Sequence, residues 1–320
     1  MRGRKSERGI ALLATLLAIA LMTVLVVGFT TTAELGYRSA ANQANELRAE
    51  YLARSAISVG LSLLAEQARA NAFLTNGAAT PPFYALDQPW AMPFPPVPIG
   101  GGTASVSIVD EARKLDINQL VDPRTGAVNP QVAQILARLF EIINVPQDLI
   151  PAIVDWLDPD SVDSPGGAEA DYYLRLTPPY QPRNGPIPTI GDLRMVRGVN
   201  TPVFMKLAQY LTAAPEPRIN ANTVTPELLA ALSPELANNP SMIKEIMIAR
   251  TRAPFRQITD LANLPGVGQN ATDLMRILTT QSSYFTITGV GTYAGARKFI
   301  FATFRGNMNG TASLISWHEE

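Results

Sequence analysis

The run Asp155-Trp-Leu-Asp158-Pro-Asp160-Ser-Val-Asp163-Ser-Pro-Gly-Gly-Ala-Glu169-Ala-Asp171 sets six carboxylates in seventeen residues, with no lysine or arginine among them. Charges of one sign this dense repel, so a loop folded around them needs a cation or generous solvation. Calcium is the hard ion that suits such a loop, since it takes roughly six to eight oxygens in flexible geometry. The spacing is not that of an EF-hand, because Asp158, Asp160 and Asp163 break the one-three-five rhythm. Gly166-Gly167 lets the backbone fold back, so that Glu169 and Asp171 join Asp155, Asp158, Asp160 and Asp163. On these residues alone a solvated, metal-free loop stays equally open. Glycosidase-type acid/base work by a carboxylate pair fits poorly, because the six acids share one flexible loop and nothing signals a sugar cleft.

A repeat brackets this loop. Ile190-Gly-Asp-Leu193-Arg-Met-Val196-Arg-Gly198-Val199 matches Ile258-Thr-Asp-Leu261-Ala-Asn-Leu264-Pro-Gly266-Val267, and Leu115-Asp-Ile-Asn118 echoes Ile219-Asn-Ala-Asn222. Each unit resembles a helix-hairpin-helix (SAM-like) motif, whose glycine (Gly198, Gly266) reverses the chain at positive φ. Such hairpins often bind a DNA phosphate through backbone amides and basic side chains. Gly268 gives the second hairpin the Gly-x-Gly form that suits phosphate; the first lacks it. Residues 110–206 carry 13 acidic and 9 basic side chains, a balance that repels a polyanion. Packing is the expected role of the repeat, and no nucleic acid is expected as a partner.

The elements that position these segments begin at the N-terminus. A basic leader, Met1-Arg-Gly-Arg-Lys-Ser-Glu-Arg-Gly9, runs into an uncharged segment from Ile10 to Phe29. Twenty residues at about 1.5 Å each give roughly 30 Å, a bilayer core. A secretory signal is cut beyond its apolar region, whereas here the small-residue site lies before it, between Gly9 and Ile10. That is the layout of a type IV prepilin leader; an uncleaved anchor with Arg2, Arg4, Lys5 and Arg8 on the cytoplasmic side explains the same composition. The run continues without proline through Ala72, with Leu47, Tyr51, Ile57, Leu61 and Leu64 near helical spacing. A Pro/Gly/aromatic loop follows, then alternating Ala104, Val106 and Ile108. Strand signals return only at Tyr284-Phe-Thr-Ile-Thr, Arg297–Phe304 and Ser313-Leu-Ile-Ser-Trp.

The fold expected is α+β: a long pilin-like N-terminal helix on a small antiparallel sheet, with a large helical insertion holding two helix-hairpin-helix units. The divisions are 1–9 (leader), 10–72 (helix, 10–29 transmembrane), 73–112 with 284–320 (sheet) and 113–283 (insertion). The 320 residues include no cysteine, which excludes disulfides and thiolate chemistry, and one histidine, His318, near the end. A His-centred triad or His/Cys zinc site is thereby excluded. Net charge −1 and pI near 6.0 give no electrostatic reason to expect nucleic acid. No enzymatic activity is expected.

Leader, long helix, split sheet, repeat-bearing insertion and the run Asp155-Trp-Leu-Asp-Pro-Asp…Gly-Gly-Ala-Glu-Ala-Asp-Tyr-Tyr together resemble the type II secretion minor pseudopilin K family (general secretion pathway protein K), over essentially the whole chain. The resemblance implies cleavage after Gly9 by prepilin peptidase and N-methylation of Ile10. It implies a single-pass inner-membrane protein with a periplasmic head, in a hetero-oligomer with the I and J minor pseudopilins and the major pseudopilin. It also implies a role capping the tip of the pseudopilus, and calcium in the insertion. Most pilins carry glutamate at the fifth mature position; Ala14 stands there, which in the family goes with a tip subunit. The alternative is a membrane-anchored helix-hairpin-helix protein that binds or takes up DNA.

Overall fold

A computed structural model describes residues 4–75, 82–268, 271–306 and 311–320; leader residues 1–3 lie outside them. Helix α1 (Arg4–Thr75) is a single 72-residue rod, about 108 Å long at 1.5 Å per residue, and takes in the backbone of Arg4–Gly9. Its apolar part is exposed throughout, from Ile10 (66%) to Phe29 (76%), and is long and apolar enough to cross a membrane. Each threonine there, Thr15, Thr23, Thr30, Thr31 and Thr32, donates its hydroxyl to a carbonyl one turn back. No side-chain polar group is left to water, as lipid requires.

The chain continues through β1 (Val97–Ile99), β2 (Gly102–Asp110) and β3 (Leu115–Asp116) to α2 (Pro130–Ile142), α3 (Ile150–Leu157), α4 (Ala170–Tyr173) and α5 (Thr201–Leu207). Then come β4 (Leu211–Thr212), β5 (Ile219–Asn220), α6 (Pro226–Ala231), α7 (Pro234–Ala237), α8 (Pro240–Arg252), α9 (Ala271–Ile277) and β6 (Leu278–Thr279). Strands β7 (Tyr284–Tyr293), β8 (Ala296–Gly306) and β9 (Ala312–Glu319) end it. The main sheet is antiparallel throughout, in the order β1-β2-β7-β8-β9. β2 and β7 are direct neighbours, so everything from 111 to 283 is inserted between two paired strands. The long helix, antiparallel sheet and helical insertion agree with the sequence reading. The proline-rich loop also supplies an edge strand, β1, with Pro98 at the position in a sheet where proline is tolerated.

The second half of α1 packs on the sheet with Ile57, Leu61 and Leu64 of the expected apolar face, but not with Leu47 and Tyr51. Leu47 and Tyr51 are exposed, while Ala49, Leu52, Ala53, Ala56, Ile57 and Leu64 are buried against Val106, Phe285, Ile287, Ile300, Ala302 and Trp90. The reason is proximity. A Cβ on Gly291 would stand 1.8 Å from the Ala49 carbonyl oxygen, and one on Gly289 2.3 Å from that of Ala53. Helix and strand meet backbone to backbone, which only small residues permit.

The insertion has its own continuous core, including Leu136, Leu139, Phe140, Ile153, Leu157, Tyr173, Leu193, Leu228 and Leu261. It consists of two like halves, each closed by a two-residue parallel pairing of its first and last strands, β3 with β4 and β5 with β6. Asn118 accepts from the Ile187 amide (2.8 Å) and donates to its carbonyl (3.0 Å). Asn222 does the same with Phe255, at 2.8 and 2.9 Å. Each clamped residue stands three before a short 3-10 helix, Ile190–Met195 or Ile258–Asn263. These helices carry the buried Leu193 and Leu261, and Gly198 (φ +81°) and Gly266 (φ +76°) follow. That arm is 3-10, where a helix-hairpin-helix unit implies an α-helix. The two-residue strands were invisible in the sequence, because a single pair of bridges leaves no periodicity.

Candidate functional site

The acidic loop hangs from the C-terminal end of α3, whose residues Ala152–Leu157 are all buried. A helix C-terminus carries partial negative charge, so the end of α3 gives the carboxylates gathered there no compensation. Asp155 is fully buried; both its oxygens accept from the Ser164 amide at 3.2 Å, which turns the loop back over the helix end. Gly166 takes φ +83°, and a Cβ on Gly167 would stand 1.8 Å from Asp155 Oδ2. The Gly-Gly pair is therefore required for the fold-back.

Asp158, Asp160 and Glu169 converge, each offering an oxygen within 4.8 Å of the others. Asp158 and Glu169 are buried, yet among the described residues Asp158 Oδ1 and both oxygens of Glu169 have no partner within hydrogen-bonding geometry. Unpaired buried carboxylates favour the neutral form. Burial, then the charges of Asp160 and Asp155, push Asp158 up to about 6. Burial, then the charges of Asp158 and Asp155, push Glu169 up to about 7. Asp160 is exposed and accepts from the Val162 amide at 2.8 Å. Counted from Asp158, Glu169 is the twelfth residue, where an EF-hand has its last ligand, but Asp163 stands where that loop needs glycine.

The other three acids do not join the cluster; Asp155 lies beside it with its oxygens taken by the Ser164 amide. Asp163 is exposed, and Asp171 points outward, pairing with Arg175 at 3.8 Å with its side chain 87% exposed. One oxygen donor was missed by the sequence reading. Asn184, held at φ +46°, donates through Nδ2 to the Asp160 carbonyl and leaves a buried Oδ1 without a partner. It lies 24 residues past Asp160 in a Pro/Gly-rich segment, and no spacing rule connects the two. Orphaned oxygens from carboxylates and an amide, with no nitrogen or sulfur donor among them, form a hard-cation donor set.

The first hairpin closes over this loop. The Arg197 amide donates to Tyr173 Oη (3.1 Å), its guanidinium donates to the Gly166 carbonyl, and Arg194 stacks over Phe204 at 4.2 Å. A Cβ on Gly198 would stand 2.4 Å from Leu149 Cδ2. Its glycine packs on Leu149, and its arginines contact Tyr173, the Gly166 carbonyl and Phe204. Gly266 turns at positive φ, whereas Gly268 does not; residues 269 and 270, just beyond, lie outside the described ones. At the N-terminus, Gly9 and Ile10 fall inside one uninterrupted helix, and Ala14 on its exposed apolar part.

Two family profiles, both describing type II secretion system (T2SS) protein K, match the chain over residues 113–216 and 219–280. The break between them falls where the first half of the insertion ends and the second begins. The type II secretion system protein K of Klebsiella pneumoniae is 31% identical over 240 residues, covering 71% of this chain and 71% of that protein. Its namesake from Pseudomonas aeruginosa is 26% identical over 322 residues, covering 98% and 93%. The crystal structure of the GspK-GspI-GspJ complex from enterotoxigenic Escherichia coli contains a chain of the same fold. The TM-score is 0.67 at 21% identity, covering 88% of this chain and 99% of that one.

Proposed function

This chain belongs to the type II secretion system protein K family, the minor pseudopilins of that system, and from this membership we propose that it caps the tip of a periplasmic pseudopilus together with the I and J minor pseudopilins. One observation carries the reading: α1 passes without a break from a lipid-compatible segment into the core of the head. Anchor and head are one rigid lever, as a subunit lifted out of a membrane into a filament requires. The related chain solved in complex with I and J supports the partners. The family is a structural component of a secretion system, and the nucleic-acid alternative draws no support from the relatives.

In this reading residues 10–29 span the inner membrane once, with Arg2, Arg4, Lys5 and Arg8 inside and the head in the periplasm. Prepilin peptidase cuts between Gly9 and Ile10, and Ile10 becomes the methylated first residue. Ala14 leaves the mature helix with no buried carboxylate, which would be costly in lipid without a cationic partner. A subunit with none above it has no such partner to engage. The insertion, seated on the sheet at the head, blocks further stacking above the major pseudopilin.

Calcium belongs to the same reading. Asp158, Asp160 and Glu169 hold it, with Asp155 and the orphaned Asn184 Oδ1 as the adjoining oxygens, while Asp163 and Asp171 stay outside. Bound calcium supplies the positive charge the loop lacks and ties α3, α4 and the segment around Asn184 together. The test of the pilin-class reading is a mass spectrum of the N-terminus after expression with and without prepilin peptidase. A chain starting at methylated Ile10 only with the peptidase supports it. An intact leader in both cases overturns it.

A further inference from the structure

The sheet and the insertion meet at one buried polar junction. Asp110, the last residue of β2, is almost wholly enclosed. Its Oδ2 accepts from Thr223 Oγ1 (2.6 Å), Ser282 Oγ (2.8 Å) and Asn220 Nδ2 (3.0 Å), and its Oδ1 from the Ala112 amide (2.9 Å). Glu216, also buried, stands between the two halves of the insertion. Its Oε1 accepts from the amides of Ser283 (2.5 Å) and Tyr284 (2.7 Å), where the chain leaves the insertion for β7. Two carboxylates thus tie the entry and exit strands to the segment between the halves.

The charged groups around them do not neutralise them. Glu111 accepts from Thr212 Oγ1 (2.6 Å) and takes Lys114 as its partner at 3.1 Å. Gln119 Nε2 reaches both the Glu216 carbonyl (2.6 Å) and Asp116 Oδ2 (3.4 Å), bringing a third buried carboxylate close. Tyr84 faces Asp110. Arg218 and Arg276 line a cleft of about 90 Å³ with Asp116 and Glu216, and Arg113 lies beside Arg250, which donates to the Ala221 and Val224 carbonyls. Among the described residues, no lysine or arginine forms an ion pair with Asp110, Asp116 or Glu216.

We propose that Asp110 and Glu216 make this junction a proton-controlled hinge, tight while the two carboxyls are neutral and loosened once both are ionised. Two buried like charges without a cation repel each other and lack solvation. Burial pushes Asp110 up to about 6 against the pull of the four hydrogen bonds it accepts, and pushes Glu216 up to about 7 against the Ser283 and Tyr284 amides, with the charges of Asp110 and Glu111 adding to the rise. The folded pKa is raised, so the closed junction binds more protons than the open one. Its stabilisation is complete below about pH 4, where open-state carboxyls titrate, and is lost as pH rises through 6 to 7. For Glu216 alone, opening becomes about 20-fold more favourable between pH 5.5 and 7.5.

Amide hydrogen exchange on the full chain in detergent tests this, with rates corrected for intrinsic pH dependence. The expected result is a loss of protection of at least roughly 20-fold at Ser283 and Tyr284 from pH 5.5 to 7.5, with amides inside β8 unchanged. Glu216→Gln keeps an oxygen for both amides and cannot ionise, so its loss should shrink to the roughly 4-fold that Asp110 alone supplies. Equal loss in the variant overturns the proposal, as does loss spread evenly through β8, which would mean global opening. Should Glu216→Gln not fold, pH-independent protection at Ser283 and Tyr284 in the wild-type chain overturns it equally.

Discussion

Replacing Gly291 by alanine tests how the head is joined to its helix. The added Cβ would lie 1.8 Å from the Ala49 carbonyl oxygen, 2.7 Å from the Ala53 nitrogen and 2.8 Å from the Ala49 carbonyl carbon. Non-bonded carbon contacts sit near 3.5–4 Å, so α1 must retreat locally by about 1.5–2 Å. All three clashing atoms are helix backbone, and no rotamer change relieves them. A gap of 0.5–1 Å already forfeits about a quarter to a half of the attraction across a packed surface. Overpacking alone costs about 1–3 kcal/mol; with contacts along Ala49, Ala53 and Ile57 also lost, the expected destabilisation is at least about 3 kcal/mol. Trp90 reports on this core, since it is 1% exposed and its ring lies 5.3 Å from that of Phe285. Urea unfolding in detergent, followed by Trp90 emission with Trp156→Phe and Trp317→Phe in the background, measures the loss. Gly36→Ala is the control: nothing lies within 4 Å of the new Cβ, and a helix-interior glycine replaced by alanine gains roughly 0.5–1 kcal/mol. A Gly291→Ala chain within about 1 kcal/mol of its parent would refute the backbone-to-backbone contact.

Chelator should lower the melting temperature of the insertion, by about 5–10 °C if calcium had been present at 100 times its dissociation constant. Calorimetry should show that shift abolished in Asp158→Asn or Glu169→Gln and retained in Asp163→Asn and Asp171→Asn; a shift that survives the first two removes these ligands from the account. Asn222→Ala strands the Phe255 amide and carbonyl and should cost roughly 2–4 kcal/mol, and Asn118→Ala, through Ile187, about the same; denaturant midpoints measure both. Gly198→Ala meets both positive φ and Leu149, whereas Gly266→Ala meets positive φ with nothing within 4 Å. The first should lower the urea midpoint more than the second.

The parts of this fold legible in the sequence are those written in periodicity and composition. An uncharged twenty-residue run with no proline has few alternatives to helix, and Ala104, Val106 and Ile108 alternate as a half-buried strand must. The repeat was legible because its leucines and glycines keep the same offsets, and Leu193 with Gly198 finds its counterpart in Leu261 with Gly266. The face α1 turns to the sheet was legible only in part, through Ile57, Leu61 and Leu64. Close approach selects Ala49, Ala53 and Ala56 over the larger Leu47 and Tyr51, and that selection is made by glycines some 240 residues away in β7. In the acidic loop composition identified the chemistry but could not sort the six acids. Which of them converge depends on the backbone path through Gly166 and Gly167, and the unpartnered Oδ1 of Asn184 arrives from another segment.

The central claim is that this chain completes a tip with the I and J minor pseudopilins, and native mass spectrometry of the three heads mixed in calcium tests it most directly. A single species containing one copy of each is the predicted result. Separate monomers, or an I–J pair that leaves this chain free at concentrations well above micromolar, would contradict it.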